Sequence, residues 1–495
     1  MLNKSIIISI LSLLTSFVSA LNQVFIAKAF GSSDALDNYL IITSIPLFLS
    51  AAITAGFNYY LTPLLIKLRI EKNSSYNLIG ISKAILYISI IIFFLGLVLN
   101  LIFYYIEPAI FDKVGILNGI FILFFAFFGI NNAFLIALSN AKSIFYMPII
   151  LSMFPYLFAL LFILIYAKVI GTPSISLGLA IGAGICFISL LRLNFNDIFI
   201  ERETKFNGLR KVFSRKMPLV FIGMITFTCF QTIDAIITPQ LGAKSMSYVS
   251  YCQRIIVSLG TIVIAGPSLL LTPYLSNSLY TQSNSEFLEI VGRTTRLVFV
   301  IAGAAAVFIA LNPTMIVQLL FQRGNFTPND TANIATLLPF YVLGILPMLG
   351  VVINFRVLMV KDQIIAAAAL GGLTSILYYI FSWFFSNSFG ILGVSIGYMA
   401  TWIVVFGVAV IMVFKKKIST LFPVVFVFKF LFLIISLITI STFLKFLFGN
   451  VYIDSFYFVK QVILSVIYLI SFFTLSGILK LEEITVLYSK FLRFK

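Results

Sequence analysis

Apolar stretches of about 20 residues recur along the chain, each cut off by a polar or turn-rich break. They lie near 5–29, 38–65, 77–106, 114–138, 145–168, 174–196, 217–241, 247–278, 291–320, 332–357, 363–386, 389–414, 421–447 and 456–479. Each is long enough to cross a hydrocarbon core as a helix whose backbone groups bond internally. The pattern predicts an all-α polytopic membrane protein of about 14 transmembrane helices. The first stretch can be misread, because Lys4 and the apolar run to Val18-Ser19-Ala20 resemble a secretory signal with its cleavage site. The apolar pattern continues past Ala20 to Phe30, which predicts a first transmembrane helix instead.

The longest polar stretch, "NFNDIFIERETKFNGLRKVFSRK" at 194–216, falls between the sixth and seventh spans and reads as a joint between two halves. A weak repeat supports that reading. "IAKAFGSSDALDNYLIITSI" begins at Ile26 and "ITPQLGAKSMSYVSYCQRII" at Ile237, so Gly31 matches Gly242 at an offset of 211. Seven spans per half would invert the second half. Six spans per half plus an added helix pair keep both glycines on one side of the membrane, as parallel repeats. The expected organisation is an N-terminal lobe over 1–196, a cytoplasmic linker over 197–216, a C-terminal lobe over 217–414, and a final pair with a cytoplasmic tail over 415–495. Each of the two lobes would then be a six-helix lobe.

Charge orients these spans. With the N-terminus placed in the cytoplasm, 23 of the 33 Lys and Arg fall on that side, six on the other and four within spans. This asymmetry obeys the positive-inside rule and predicts both termini in the cytoplasm. Basic loops facing anionic lipid account for the net charge of +17 without a nucleic-acid partner. Only 10% of residues are charged, against about 25% in a soluble domain.

Composition also excludes chemistry. With no histidine in the chain, Ser-His catalysis and histidine-bound metals are ruled out. Cys186, Cys229 and Cys252 lie far apart in apolar runs, which suits small buried residues and no disulfide framework. The chain contains no Gly-Lys dipeptide and hence no phosphate-cradling loop of an ATP-driven pump. The expectation is a transporter rather than an enzyme, with no cofactor and no bound metal.

Three charged residues within or beside spans carry the candidate chemistry. Asp234, inside "FQTIDAIITPQ", is costly at that depth unless paired, solvated or protonated, and reads either as a satisfied buried acid or as a candidate for ion coupling through Na⁺ or H⁺. Asp37 begins the second span and reads either as a helix-end acid or as part of a site. Arg254 lies seven residues into the eighth span, roughly 10 Å along the helix. It either snorkels to the interface or faces a water-filled cavity, where its planar fork suits pyrophosphate.

Several stretches, taken in order, resemble one family. "YCQRI" at 251–255 is similar to the Tyr-Ala-x-Arg-Leu stretch of MurJ/MviN-type lipid II flippases, and Asp234 followed by "QLGAKS" to the run before it. "LLFQRGNFTPNDT" at 319–331 resembles that family's Leu-Phe-x-x-Gly-x-Phe-Thr-x-x-Asp-Thr motif. "GILGVSIGYMATW" at 390–402 and "AKAFGSSDALDNYLIITSIP" near the start resemble two more of its patterns. The resemblance covers roughly residues 5–415. It implies fourteen helices around a cavity, and the flipping of an undecaprenyl-pyrophosphate-linked saccharide from the inner to the outer leaflet.

Carried over residue by residue, the family's cavity arginine falls on Arg254 and its acid before the second span on Asp37. This chain also departs from the pattern. Ser16, Asn22 and Gln23 stand where the family has an Arg and then an Arg-Asp pair, Ser50 replaces another Arg, and Val257 replaces an acid. Lys28 is the nearest substitute cation. The substrate-binding expectation therefore comprises Arg254, Asp37, Lys28, Asn22, Gln23, Ser16 and Ser50. The Arg323 segment reads as an external turn.

The resemblance implies a transporter of the bacterial inner membrane, in contact with membrane lipids and serving cell-wall synthesis by alternating access of its lobes; its oligomeric state is open, a monomer being the expectation. An exporter of another lipid-linked polysaccharide unit remains open, as does a cation-coupled drug antiporter. A membrane scaffold for glycosyltransferases is the remaining alternative.

Overall fold

The computed structural model describes residues 2–57, 61–62, 65, 78–106, 110, 112–199, 216–281, 283–415, 417–448, 457–479 and 481. The loop 66–76, the linker core 200–215 and the tail 482–495 lie outside the described residues. All regular structure among the described residues is helical. In chain order the helices are α1 (Leu2–Phe30), α2 (Asp34–Gly56), α3 (Leu78–Ile106), α4 (Lys113–Ala141), α5 (Tyr146–Leu151), α6 (Phe154–Ile170) and α7 (Pro173–Phe199). There follow α8 (Lys216–Thr228), α9 (Phe230–Ile237), α10 (Ser245–Thr281), α11 (Asn284–Leu311), α12 (Pro313–Phe321) and α13 (Pro328–Leu343). The last are α14 (Ile345–Val360), α15 (Ile364–Phe389), α16 (Ile391–Phe414), α17 (Ile418–Leu421), α18 (Val424–Phe448) and α19 (Tyr457–Ile478).

Among the described residues, helix occupies every one of the expected spans. Among the described residues, ten of these helices, together with α5 and α6 taken as one span over Tyr146–Ile170, are long and apolar enough to cross a membrane. The pair α13–α14, bent by 42°, makes a twelfth span. The shorter α19 and the broken pair α8–α9 fill the two remaining intervals. The chain is a polytopic helical membrane protein. Many large apolar side chains among the described residues are exposed, as lipid contact requires: Tyr105, Val169, Phe446 and Ile478 are each at least three-quarters exposed.

Local chemistry sets the helix ends. The second span starts at Asp34 rather than at 38, because the Ser33 hydroxyl accepts from Leu36 N–H and so caps the helix. Asp34 and Asp37 then fall in its first turn, where acids favour the helix dipole. The ninth interval splits at Asn312, since Pro313 restarts the helix without needing an N–H partner. Helix α1 runs unbroken through Ser19 and Ala20.

By its internal contacts the chain divides into two compact units. The first comprises Met1–Tyr251, Phe321–Asp330 and Ile364–Ile380; the second comprises Cys252–Leu320, Thr331–Gln363 and Phe381–Lys495. This partition by contact differs from the lobes expected from sequence, which are a partition by repeat.

In the first unit, α4 packs on α2, α3 and α7, and α7 on α6. Phe57, Ile81, Ile85, Ile130, Phe134 and Leu190 form its apolar core. Asparagines tie these helices together inside the apolar span. Asn118 donates to Thr172 at 2.8 Å and accepts from Ser176 at 2.8 Å. Asn131 donates to Ser89 at 2.9 Å, and Asn194 to Ser139 at 2.9 Å. Away from water such groups must find partners within the protein.

In the second unit, α11 packs on α14 and α18, and α18 on α19. Arg296 of α11 is buried and spreads its fork over three partners. It donates to the Thr420 and Leu421 carbonyls at 2.9 and 3.2 Å and to Glu289 at 3.2 Å. Those carbonyls end α17 and lead into α18, so the arginine fastens the C-terminal helices to α11. Nearby, the Lys361 ammonium lies over the Phe287 ring at 4.8 Å. Burial, and then the neighbouring Lys415, push its pKa below the ordinary lysine value.

Candidate functional site

The expected site residues separate into two environments. Ser16, Asn22 and Gln23 lie along α1. The Ser16 hydroxyl donates back to the Ser12 carbonyl at 3.1 Å, so its proton already has an acceptor within the helix. Asn22 is buried and Gln23 half-buried. The side-chain carbonyl oxygens of both have no hydrogen-bond partner among the described residues. A buried acceptor left unpaired costs about 1–3 kcal/mol, so these two oxygens are a standing demand for a donor. Ser50 is buried in α2, close to Gly129, where a Cβ would sit 2.8 Å from its hydroxyl.

Asp37 is buried and engaged. Its Oδ1 accepts from the Ser247 backbone N–H at 2.8 Å and from the Ser247 hydroxyl. Ser247 lies in the first turn of α10, whose end carries unpaired N–H groups and positive dipole charge, so a carboxylate is well placed there. Lys28, exposed near the end of α1, holds its ammonium 5.9 Å from the Phe25 ring.

Asp234 is fully buried in α9 and accepts a short hydrogen bond from the Tyr378 hydroxyl. Tyr378 is equally buried, its ring 4.4 Å from Phe230. An acid within an apolar span thus has at least one donor built for it. Arg254 is half-buried on α10, seven residues beyond Ser247, and the next turn exposes Val257 and Ser258.

The turn around Arg323, read from sequence only as an external turn, has a defined role in packing. Asn325 donates its backbone N–H to Lys28 O at 3.0 Å and its side-chain N–H to Ala29 O at 2.6 Å. Asp330 accepts from Thr327 N–H and hydroxyl, both at 2.8 Å, and from the Tyr248 hydroxyl at 3.2 Å. The Tyr251 hydroxyl donates to Gly31 O at 2.8 Å, and its ring packs on Phe321 and Phe326. Segments 28–37, 244–251 and 321–330 therefore meet at one place, and the Gly31 and Gly242 turns lie on one side of the bundle.

A family model described as "Lipid II flippase MurJ" matches residues 26–473, nearly the whole described chain. The chain belongs to the lipid II flippase MurJ family. Among curated relatives, the probable lipid II flippase MurJ of Buchnera aphidicola subsp. Baizongia pistaciae (strain Bp) is 24% identical over 363 residues, 70% of each chain. A solved structure of lipid II flippase MurJ in an inward closed conformation shares the fold, with a TM-score of 0.73, 18% identity, and 96% of this chain and 99% of that one covered. An inward-facing multidrug resistance MATE family transporter of the MOP superfamily shares it more loosely, with a TM-score of 0.65, 13% identity, and 84% and 98% covered. Membership of the MurJ family marks the chain as a membrane transporter rather than a catalyst. It also sharpens the departures in α1, because Asn22 and Gln23, with their unpaired oxygens, stand where the resemblance expects charge.

Proposed function

We propose that this protein flips a polyprenyl-pyrophosphate-linked saccharide across the bacterial inner membrane by alternating access, both termini being cytoplasmic. The observation that carries this reading is the family match over 26–473. The saccharide-pyrophosphate head would pass through a polar cavity while the polyprenyl tail stays in lipid. Arg254, at the place of the family's cavity arginine, would hold the anion with a charged fork. Asn22 and Gln23 would meet sugar hydroxyls or amides, the donors that their unpaired oxygens require. Lys28, Ser16 and Ser50 would complete a site with less positive charge than the family pattern. Asp234 would carry the coupling ion, and the transporter would act as a monomer.

A lipid-linked head other than lipid II is favoured by one observation: neutral side chains replace the expected charges of α1. Proteoliposomes loaded with labelled lipid-linked saccharides of different heads separate the two readings. Arg254→Ala should abolish flipping of whichever head is accepted. Arg254→Lys should restore it only in part, because an ammonium keeps the charge and loses the fork. Full activity in the lysine variant would return Arg254 to the interface as a snorkelling residue. Absence of flipping for every lipid-linked head would overturn the proposal.

A further inference from the structure

Helix α1 ends at Phe30, and its last carbonyls must be bonded from outside the helix. Gly31 N–H satisfies one, bonding Ala27 O at 2.8 Å. The next two, Lys28 O and Ala29 O, are satisfied by a residue 296 positions away, Asn325. The approach is close enough to exclude side chains. Gly31 and Gly324 both hold left-handed φ, 60° and 62°. A Cβ on Gly31 would strike the Asn325 carbonyl, and one on Gly324 would strike the Lys28 carbonyl. Each turn is shaped to receive the other.

We propose that Asn325 is a positioning residue of transport, capping the first helix in trans, and that release of this cap opens the end of the bundle where the three turns meet. The proposal rests on the transporter reading above. Alternating access requires contacts at that end that hold in one state and part in the other. The Asn325 cap fits this requirement. It consists of hydrogen bonds between segments far apart in sequence, and Asn325 itself is exposed. On opening, water can replace Asn325 on the Lys28 and Ala29 carbonyls, so no buried group is orphaned. Just past the capped end, Ser32 is buried, and its hydroxyl has no hydrogen-bond partner among the described residues. Asp37 with Ser247 and Tyr248 with Asp330 join the same segments more deeply.

Two measurements test the cap. In the first, Ser32→Cys is exposed to a membrane-impermeant thiol reagent, alone and combined with Asn325→Ala or the isosteric but donor-free Asn325→Asp. The natural cysteines are buried and provide a quiet background. Loss of the side-chain bond to Ala29 O, with the backbone N–H bond to Lys28 O kept, should speed labelling about tenfold in both combinations, with an unchanged melting temperature. Equal labelling with and without Asn325 would overturn the proposal, and so would faster labelling that only follows a lowered melting temperature. In the second, Ala29→Cys with Asn325→Cys is oxidised to a disulfide in proteoliposomes. Transport should stop on oxidation and return on reduction. Transport at the reduced rate in the oxidised form would mean that the cap never opens. The labelling arm needs no substrate, so it reports on Asn325 even if the lipid-linked saccharide reading fails.

Discussion

The cluster of turns around Gly31, Ser247 and Asn325 and the C-terminal third of α1 around Asn22 and Gln23 treat polar groups in opposite ways. In the turns, donors and acceptors from three distant segments are matched, down to both amide groups of Asn325. In α1, two side-chain oxygens are buried and unmatched. The first arrangement is what holding a conformation requires. The second is what a surface awaiting a ligand looks like, because it accepts a penalty that a partner from outside would remove. In this chain, closure and recognition are assigned to different residues.

The most severe break in that contrast should come from the turns. Gly31→Ala and Gly324→Ala each force a side chain into a left-handed backbone, at about 1–2 kcal/mol, and drive it into an opposing carbonyl. Both should lower the melting temperature in detergent and abolish transport. The double variant should lose less than the sum of the two, because both remove one contact. Additive losses would show that the turns do not act on each other.

Asp234 should respond more selectively. Tyr378→Phe removes a donor from a buried carboxylate and should destabilise by about 1–3 kcal/mol. Asp234→Asn removes charge that is costly to bury. It should keep the melting temperature while abolishing transport driven by a Na⁺ or H⁺ gradient. Gradient-driven transport at the parental rate would leave Asp234 as a structural acid.

The smallest effect on stability belongs to α1. Asn22→Ala and Gln23→Ala break no hydrogen bond of the unpaired oxygens, so stability should stay within about 0.5 kcal/mol. Flipping of the lipid-linked head should nevertheless fall about tenfold. A large drop in melting temperature would place these amides among the structural groups and erase the contrast with the turns.

The spans were legible because a membrane imposes one length and one composition on every helix, and because Ser33 and Pro313 announce helix starts in the local sequence. Asp234 was legible from its depth alone. The pairing of Asp37 with Ser247 was not, since a short acid near a helix start reads equally as a cap or as part of a site. Asn325 was invisible for a stronger reason. Its role depends on two turns 296 residues apart, and within its own segment it is one polar residue of a turn. Asn22 and Gln23 drew notice only through the resemblance, because neutral amides on an apolar helix leave little trace in periodicity or charge.

The trans cap on α1 also has a consequence for biosynthesis. The ribosome makes Lys28 and Ala29 long before Asn325, and at the usual rate of synthesis the interval is about 15–60 s. During that time the first helix sits in the bilayer with its end unfinished, exposed to water, to lipid headgroups or to insertion factors. Nascent chains stopped before residue 325 should therefore be cut by protease at the α1–α2 turn, and chains extended past the turn should resist. The last step in maturing the beginning of this protein would then be the arrival of a segment two-thirds of the way to its end.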